Sequence, residues 1–162
     1  MICHPIPPVW NENARVLILG SFPSVRSREI GFFYGHPQNR FWRTVAAVFG
    51  EEIPASTEEK IALLHRRRIA LWDVISSCEI TGSADASIRN VTPNDLLPIL
   101  HGAPICHIVT NGKTADTLYR RYQLPITGME AVCLPSTSPA NARFRETDLI
   151  RAWSVLAGFT DS

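Results

Sequence analysis

The sequence predicts one α/β domain: a parallel sheet with helices packed on both faces. Three observations lead there. Four short apolar runs, Val16–Leu19, Ile69–Trp72, Ile105–Val109 and Ala131–Leu134, are nearly continuous rather than alternating, as strands buried on both faces are. Helical patterns lie between the runs, and strands alternating with helices give a layered sheet joined by right-handed crossovers. The length, 162 residues, suits a single domain over residues 1–162 and is short for two.

Each element has its own local reason. Residues 1–15 contain Pro5, Pro7 and Pro8 and read as an irregular lead-in to the first strand. The connection from Ser21 to Asn39 is the longest, and loops of that length in small domains are usually functional. Its aromatics, Phe22, Phe32, Phe33 and Tyr34, argue against disorder; at least two of the three phenylalanines are expected to pack the loop onto the core. Arg40 to Phe49 puts Phe41, Val45, Val48 and Phe49 on one side of a helix, with Gly50 as its stop. Ser56-Thr57-Glu58-Glu59 is a capping box for a helix running to about Arg68. Thr92-Pro93-Asn94-Asp95 offers an N-cap, a first-position proline and an early acid. Lys113–Tyr122 and Arg145–Leu156 complete the helices.

Composition removes several function classes. The formal net charge is +1, with 45% hydrophobic and 19% charged residues, which excludes a purely electrostatic nucleic-acid binder but not a local basic groove. No apolar run approaches the roughly 18 residues of a membrane span, and the start, MICHPIPPVWNE, lacks the pattern of a signal peptide. Cys3, Cys78, Cys106 and Cys133 form no C-x-x-C pair. They are expected to be reduced, with Cys106 and Cys133 in the core, as in a cytoplasmic protein. Of the 16 basic residues only Lys60 and Lys113 are lysines. The forked guanidinium groups of Arg26, Arg28, Arg40, Arg43, Arg143 and Arg145 suit phosphate contacts, whereas Arg66–Arg68 and Arg120–Arg121 end helices and read as structural.

Parallel strands bring their C-terminal ends to one edge, where ligands of open sheets bind. Past the four runs come Gly20-Ser21-Phe22-Pro23-Ser24, Asp73, Thr110-Asn111-Gly112 and Pro135 to Asn141. Small polar residues and one carboxylate therefore converge on that edge. An aromatic there can stack on a flat ligand such as a nucleobase. Asn39 is either an ordinary helix cap or an amide aimed into the same pocket. Asp73 is either a cap or ion-pair partner, or an acceptor for a ring N–H.

Three segments carry a family resemblance: Val16-Leu-Ile-Leu-Gly-Ser-Phe-Pro-Ser24, Tyr34-Gly-His-Pro-Gln-Asn-Arg-Phe-Trp42 and Leu134-Pro-Ser-Thr-Ser-Pro-Ala-Asn141. Together they resemble the uracil-DNA glycosylase superfamily, nearest the hypoxanthine-DNA (deoxyinosine) glycosylases and related to the mismatch-specific enzymes. The resemblance implies a three-layer sandwich around a four-stranded parallel sheet. It also implies excision of a deaminated base, hypoxanthine first, then uracil or xanthine, from double-stranded or single-stranded DNA. The enzyme would be a monomer without metal, cofactor or membrane.

The resemblance also implies roles for residues. Asn39 and Ser21 are the candidate catalytic residues, and Phe22, Tyr34, Asp73 and Ser136 are the candidate base-binding residues. Tyr34 stands at the position of the stacking aromatic, and Asp73 where the base's edge is read. Ser24, Ser138, Pro139, Ala140, Asn141 and Arg143 are the candidate DNA-binding residues, with Pro139 to Ala142 as the wedge that enters the duplex. Ser21 stands where many members carry aspartate or asparagine, and Ser136 where many carry histidine or asparagine. Loss of both groups argues against efficient uracil removal. Backbone N–H groups at Ser21–Phe22 and Ser136–Ser138 are expected to stabilise the departing base. Two other readings remain: a non-catalytic DNA-binding member of the same fold, and a serine hydrolase using Ser21 or Ser136, which would lack a Gly-x-Ser-x-Gly elbow.

Overall fold

A computed structural model describes residues 2–79 and 88–161. In chain order its strands are β1 (Ile2–Cys3), β2 (Val16–Gly20), β3 (Ile69–Asp73), β4 (Ile75–Glu79), β5 (Arg89–Pro93), β6 (His107–Asn111) and β7 (Ala131–Leu134). Its helices are α1 (Val25–Ile30), α2 (Phe41–Val48), α3 (Thr57–Arg66), α4 (Leu97–Gly102), α5 (Lys113–Tyr122), α6 (Leu124–Thr127), α7 (Glu146–Trp153) and α8 (Val155–Thr160).

The four apolar runs form one parallel sheet in the order β3-β2-β6-β7. Its strands are continuous apolar runs because both faces are covered. Val16 and Ile18 pack with Phe41, Leu64, Leu149 and Trp153 on the side of α2, α3 and α7. Leu17 and Leu19 point the other way, into Ile75, Cys78, Ile99 and Tyr119. Each of the four is fully buried, so truncating Leu17, Ile18 or Leu19 to alanine would cost about 2–5 kcal/mol.

From β2 the chain first builds outward to β3 and then returns to the other side of β2 as β6. Connections leaving the C-terminal ends of β2 and β6 therefore diverge, and a crevice opens between them.

A second sheet, β1-β4-β5, is antiparallel. Only Val74 separates β3 from β4, and its N–H still bonds Gly20 O at 2.8 Å while Ile75 N–H bonds Ser21 O at 3.1 Å. The chain thus stays paired to the exit of β2 before turning into the second sheet, which fixes Asp73 beside Gly20.

Several sequence expectations need correction. Residues 2–15 are mostly irregular in backbone but tied down, with β1 paired to β4 and Val9 bridging Leu71. Thr92 and Pro93 belong to β5 and start no helix; the helix begins at Leu97, with proline in its first turn. Asn94 instead uses its amide to bond the carbonyls of Asp73 and Ile75 at 2.9 and 3.0 Å. The Ser21–Asn39 connection contains the short helix α1, capped by Ser24, which accepts from Ser27 N–H at 3.1 Å. The C-terminal helical pattern is two helices, α7 and α8. Cys106 and Cys133 are exposed and only Cys78 is buried among the four free cysteines: Cys106 precedes β6, and Cys133 lies on an edge strand.

Candidate active site

The C-terminal ends of the four parallel strands enclose a cavity of about 370 Å³. Strand β2 supplies Gly20 and the following Ser21 and Phe22; β3 supplies Asp73, β6 Asn111, and the turn after β7 Ser136, Thr137 and Ser138. Tyr34 and Asn39 enter from the long connection. Of the sequence candidates, Ser21, Phe22, Ser24, Tyr34, Asn39, Asp73, Ser136, Ser138 and Pro139 line it. Ala140, Asn141 and Arg143 do not; they continue the same turn away from the cavity, with Ala140 and Arg143 exposed.

The space near Gly20 is tight. A Cβ there would lie 2.3 Å from Asp73 Oδ1 and 3.0 Å from the Tyr34 hydroxyl. Glycine is needed here for close approach rather than for its backbone angles.

Tyr34 adopts a left-handed backbone, φ 53°, and its ring stacks on Phe41 with centroids 4.2 Å apart. One face of the ring is therefore already covered. Its hydroxyl is buried and makes no hydrogen bond of normal geometry among the described residues. Burial pushes the phenol far above its ordinary pKa, the Asp73 charge pushes the same way, and the Asn111 amide opposes them. Tyr34 is thus a neutral wall. Phe32 and Phe33 are core residues, as expected, and Phe22 is half-buried with Arg28 over its ring at 5.5 Å.

Asn39 lines the cavity and stands one residue before Arg40, the N-cap of α2. Its Oδ1 accepts from Phe41 N–H at 2.9 Å, at the start of α2, and from Thr137 Oγ1 at 2.9 Å. With the oxygen occupied, the amide has its Nδ2 hydrogens left to offer. Thr137 is fully buried and also accepts from Asn111 Nδ2 at 3.0 Å, while Asn111 Oδ1 accepts from Thr137 N–H at 3.1 Å. The chain Asn111–Thr137–Asn39 thereby locks the ends of β6, β7 and α2 together. Sequence reasoning did not choose Asn111 or Thr137, because neither stands out until β6 and β7 are paired.

The turn after β7 is built by its own side chains. Ser136 Oγ accepts from Ser138 N–H at 3.2 Å, Ser138 Oγ from Ala140 N–H at 3.1 Å, and Asn141 Nδ2 donates to Ser136 O at 3.0 Å. Consequently the N–H groups of Thr137 and Ser138, expected as donors to a leaving group, are already engaged. The Phe22 N–H has no partner among the described residues. Arg40, read as a phosphate ligand, instead sends its fork to the carbonyls of Ser138 (2.9 Å), Asn141 (3.1 Å) and Phe144. Arg43 pairs with Glu146 and Arg145 with Asp148. Arg26 and Arg143 are exposed and have no ion pair among the described residues.

The partner of Asp73 was missed altogether. His4 Nε2 lies 2.7 Å from Asp73 Oδ2, with both side chains at most 5% exposed. His4 Nδ1 accepts from Ile6 N–H at 3.1 Å, so both ring nitrogens are used and none is left to activate a serine. His4 is therefore not available as a base for the serine-hydrolase reading. His36, the histidine that lines the cavity, is exposed and its Nδ1 accepts from Gln38 N–H.

Known proteins share the family and the fold of this chain. The family described as the uracil DNA glycosylase superfamily matches residues 7–157. A hypoxanthine DNA glycosylase of Methanosarcina acetivorans is 37% identical over 148 residues, covering 89% of this chain and 91% of its own. One from Methanosarcina barkeri is 35% identical over 141 residues, covering 85% and 87%. The solution NMR structure of a Methanosarcina acetivorans protein described as a candidate uracil DNA glycosylase superposes with TM-score 0.83 at 35% identity, covering 98% of this chain and 99% of that one. The chain belongs to the uracil DNA glycosylase superfamily.

Proposed function

We propose that the protein is a base-excision glycosylase that takes a deaminated base, hypoxanthine first, out of DNA and hydrolyses its N-glycosidic bond. The observation that carries this is the cavity itself: one recess at the strand ends that gathers Ser21, Tyr34, Asn39, Asp73 and Ser136. Its volume is of the size that holds a nucleobase-sized ligand, at the low end of ordinary small-molecule pockets.

A duplex hides the target bond, so the nucleotide must rotate out, at a cost of a few kcal/mol that is least at mispaired bases. The exposed tip at Pro139 and Ala140 is the wedge, and Arg143 follows it as a phosphate contact. Asn141 braces the turn from within. Arg40 holds the tip from below through its three carbonyl contacts, so the wedge is rigid before DNA arrives.

Cleavage develops positive charge on the sugar and negative charge on the departing base. The Phe22 N–H beside Ser21, without a partner among the described residues, is the donor for that charge. Asn39 holds the oxygen of the attacking water through Nδ2 and takes no proton itself; as the C1′–O bond forms and the C1′–N bond breaks, the water's proton passes to the departing base anion. Asp73 reads an N–H on the base, and Phe22 supplies the apolar surface against it.

The test uses end-labelled duplexes, and single strands, carrying one hypoxanthine, uracil or xanthine. Alkali-labile sites and free base are measured for wild type and Asn39→Ala. Hypoxanthine release that Asn39→Ala nearly abolishes, with an unchanged melting profile in its fold and retained DNA binding, is expected. No release from any substrate by the wild-type protein would overturn the assignment.

A further inference from the structure

We infer that His4 is a specificity-determining positioning residue, one that makes Asp73 an acceptor-only probe for a ring N–H. The inference rests on the glycosylase reading for its substrate, but its geometry stands alone. His4 lies before residue 7, where the match to the family begins.

The hydrogen bonds settle the tautomer. A backbone N–H, that of Ile6, points at His4 Nδ1; a nitrogen that accepts such a bond carries no proton. The ring proton therefore sits on Nε2 and is donated to Asp73 Oδ2 at 2.7 Å. The ring packs among three aromatic side chains. It is enclosed edge-on by Phe22 and Trp72 at 5.7 and 6.1 Å, with Phe33 tilted at 6.1 Å. Its backbone is held as well, because His4 N–H bonds Ser76 O at 2.6 Å next to the β1–β4 pairing.

One oxygen of Asp73 is thus committed. Oδ1 makes no hydrogen bond among the described residues and sits over Gly20 at the cavity wall. A carboxylate oxygen so held accepts and cannot donate. That is the property needed to tell hypoxanthine from adenine and uracil from cytosine. Hypoxanthine carries N1–H where adenine has a bare N1, and uracil carries N3–H where cytosine has a bare N3. A bare nitrogen facing Oδ1 leaves two acceptors unpaired, and sites built on a buried hydrogen bond reject such analogues strongly.

The experiment compares wild type, His4→Phe, which keeps a flat ring without a donor, and His4→Gln, whose Nε2 reaches a similar point. Three readouts are taken. Long-range ¹H–¹⁵N correlation of the free protein should show a bare Nδ1 and a protonated Nε2 on His4. Free hypoxanthine, titrated by chemical-shift change, should bind wild type, with adenine failing to bind. His4→Phe should weaken that binding and lower kcat/KM for hypoxanthine in duplex DNA by roughly 10- to 100-fold, and His4→Gln should restore most of it. A thermal melt separates these effects from misfolding.

An Nδ1-protonated ring, adenine binding equal to hypoxanthine, no rescue by glutamine, or a folded His4→Phe protein with wild-type selectivity would each overturn the inference. Hypoxanthine binding that depends on His4 without any base release would sustain it and sink the glycosylase reading instead. Neither binding nor release would sink both.

Discussion

Thr137→Val is the sharpest probe of how the site is assembled. The substitution keeps the volume of a fully buried side chain and removes one hydroxyl. Two hydrogen bonds go with it, the 2.9 Å bond to Asn39 Oδ1 and the 3.0 Å bond from Asn111 Nδ2. At about 1 kcal/mol net for each, the loss is about 2 kcal/mol. For a domain of this size that lowers Tm by about 4–8 °C. Asn39 keeps its bond from Phe41 N–H, so the helix start survives while the amide loses its lateral support. Misplacing a positioning group by about 1 Å can cost 10²-fold in rate, and single-turnover release of hypoxanthine should fall by roughly 10- to 100-fold. The decisive arm is the double variant. If Thr137 acts through Asn39, adding Thr137→Val to Asn39→Ala should change the residual rate by no more than about twofold, the limit set by additivity errors. A wild-type rate in Thr137→Val, or losses that multiply in the double variant, would refute the reasoning.

Other outcomes follow from the same contacts. Gly20→Ala drives a methyl to 2.3 Å from Asp73 Oδ1, in a place where His4 prevents retreat; a cost of about 1–3 kcal/mol and loss of base release are expected, and normal melting with normal activity would contradict the packing. Arg40→Lys keeps the charge but cannot span the carbonyls of Ser138, Asn141 and Phe144; amide exchange over 138–144 should quicken, and unchanged protection would remove Arg40 as the strut. Tyr34 has its pKa raised above the ordinary 10.0 by burial, so above that pH the unfolded chain sheds a proton that the folded one keeps. Stability should therefore fall with rising pH above about 10, by about 1.4 kcal/mol per unit, and Tyr34→Phe should flatten that decline; equal slopes would deny the burial. DNA affinity should weaken with salt through released counterions, and Arg143→Gln should reduce the log–log slope by about one, whereas an unchanged slope would take Arg143 off the phosphates.

Much of the architecture was legible because it rests on local signals. Val16–Leu19 reads as a doubly buried strand from its own four residues. Ser56 and Glu59 announce a helix, and Ser56 does accept from Glu59 N–H at 3.1 Å. Where such signals compete, the reading fails. Thr92-Pro93 has the chemistry of a helix start, but pairing with β4 holds it extended, since tertiary packing overrides a weak local preference. Arg40 has the chemistry of a phosphate ligand, yet the carbonyls of the neighbouring turn reach it first.

Composition and order alone determined the alternation of buried strands and helices, hence the sheet, its functional edge, and the convergence of Ser21, Asp73 and Ser136 on that edge. Hydrophobic periodicity is written in consecutive residues and needs no partner to be read. Only the folded chain decided which atoms face one another: that Thr137 ties Asn39 to Asn111, that Tyr34 keeps its phenol neutral, and that His4 bonds Asp73 across 69 positions of sequence. A hydrogen bond depends on distances of a few ångströms and on which lone pair is already taken, and between residues so far apart in the chain those are fixed by the packing of the whole domain.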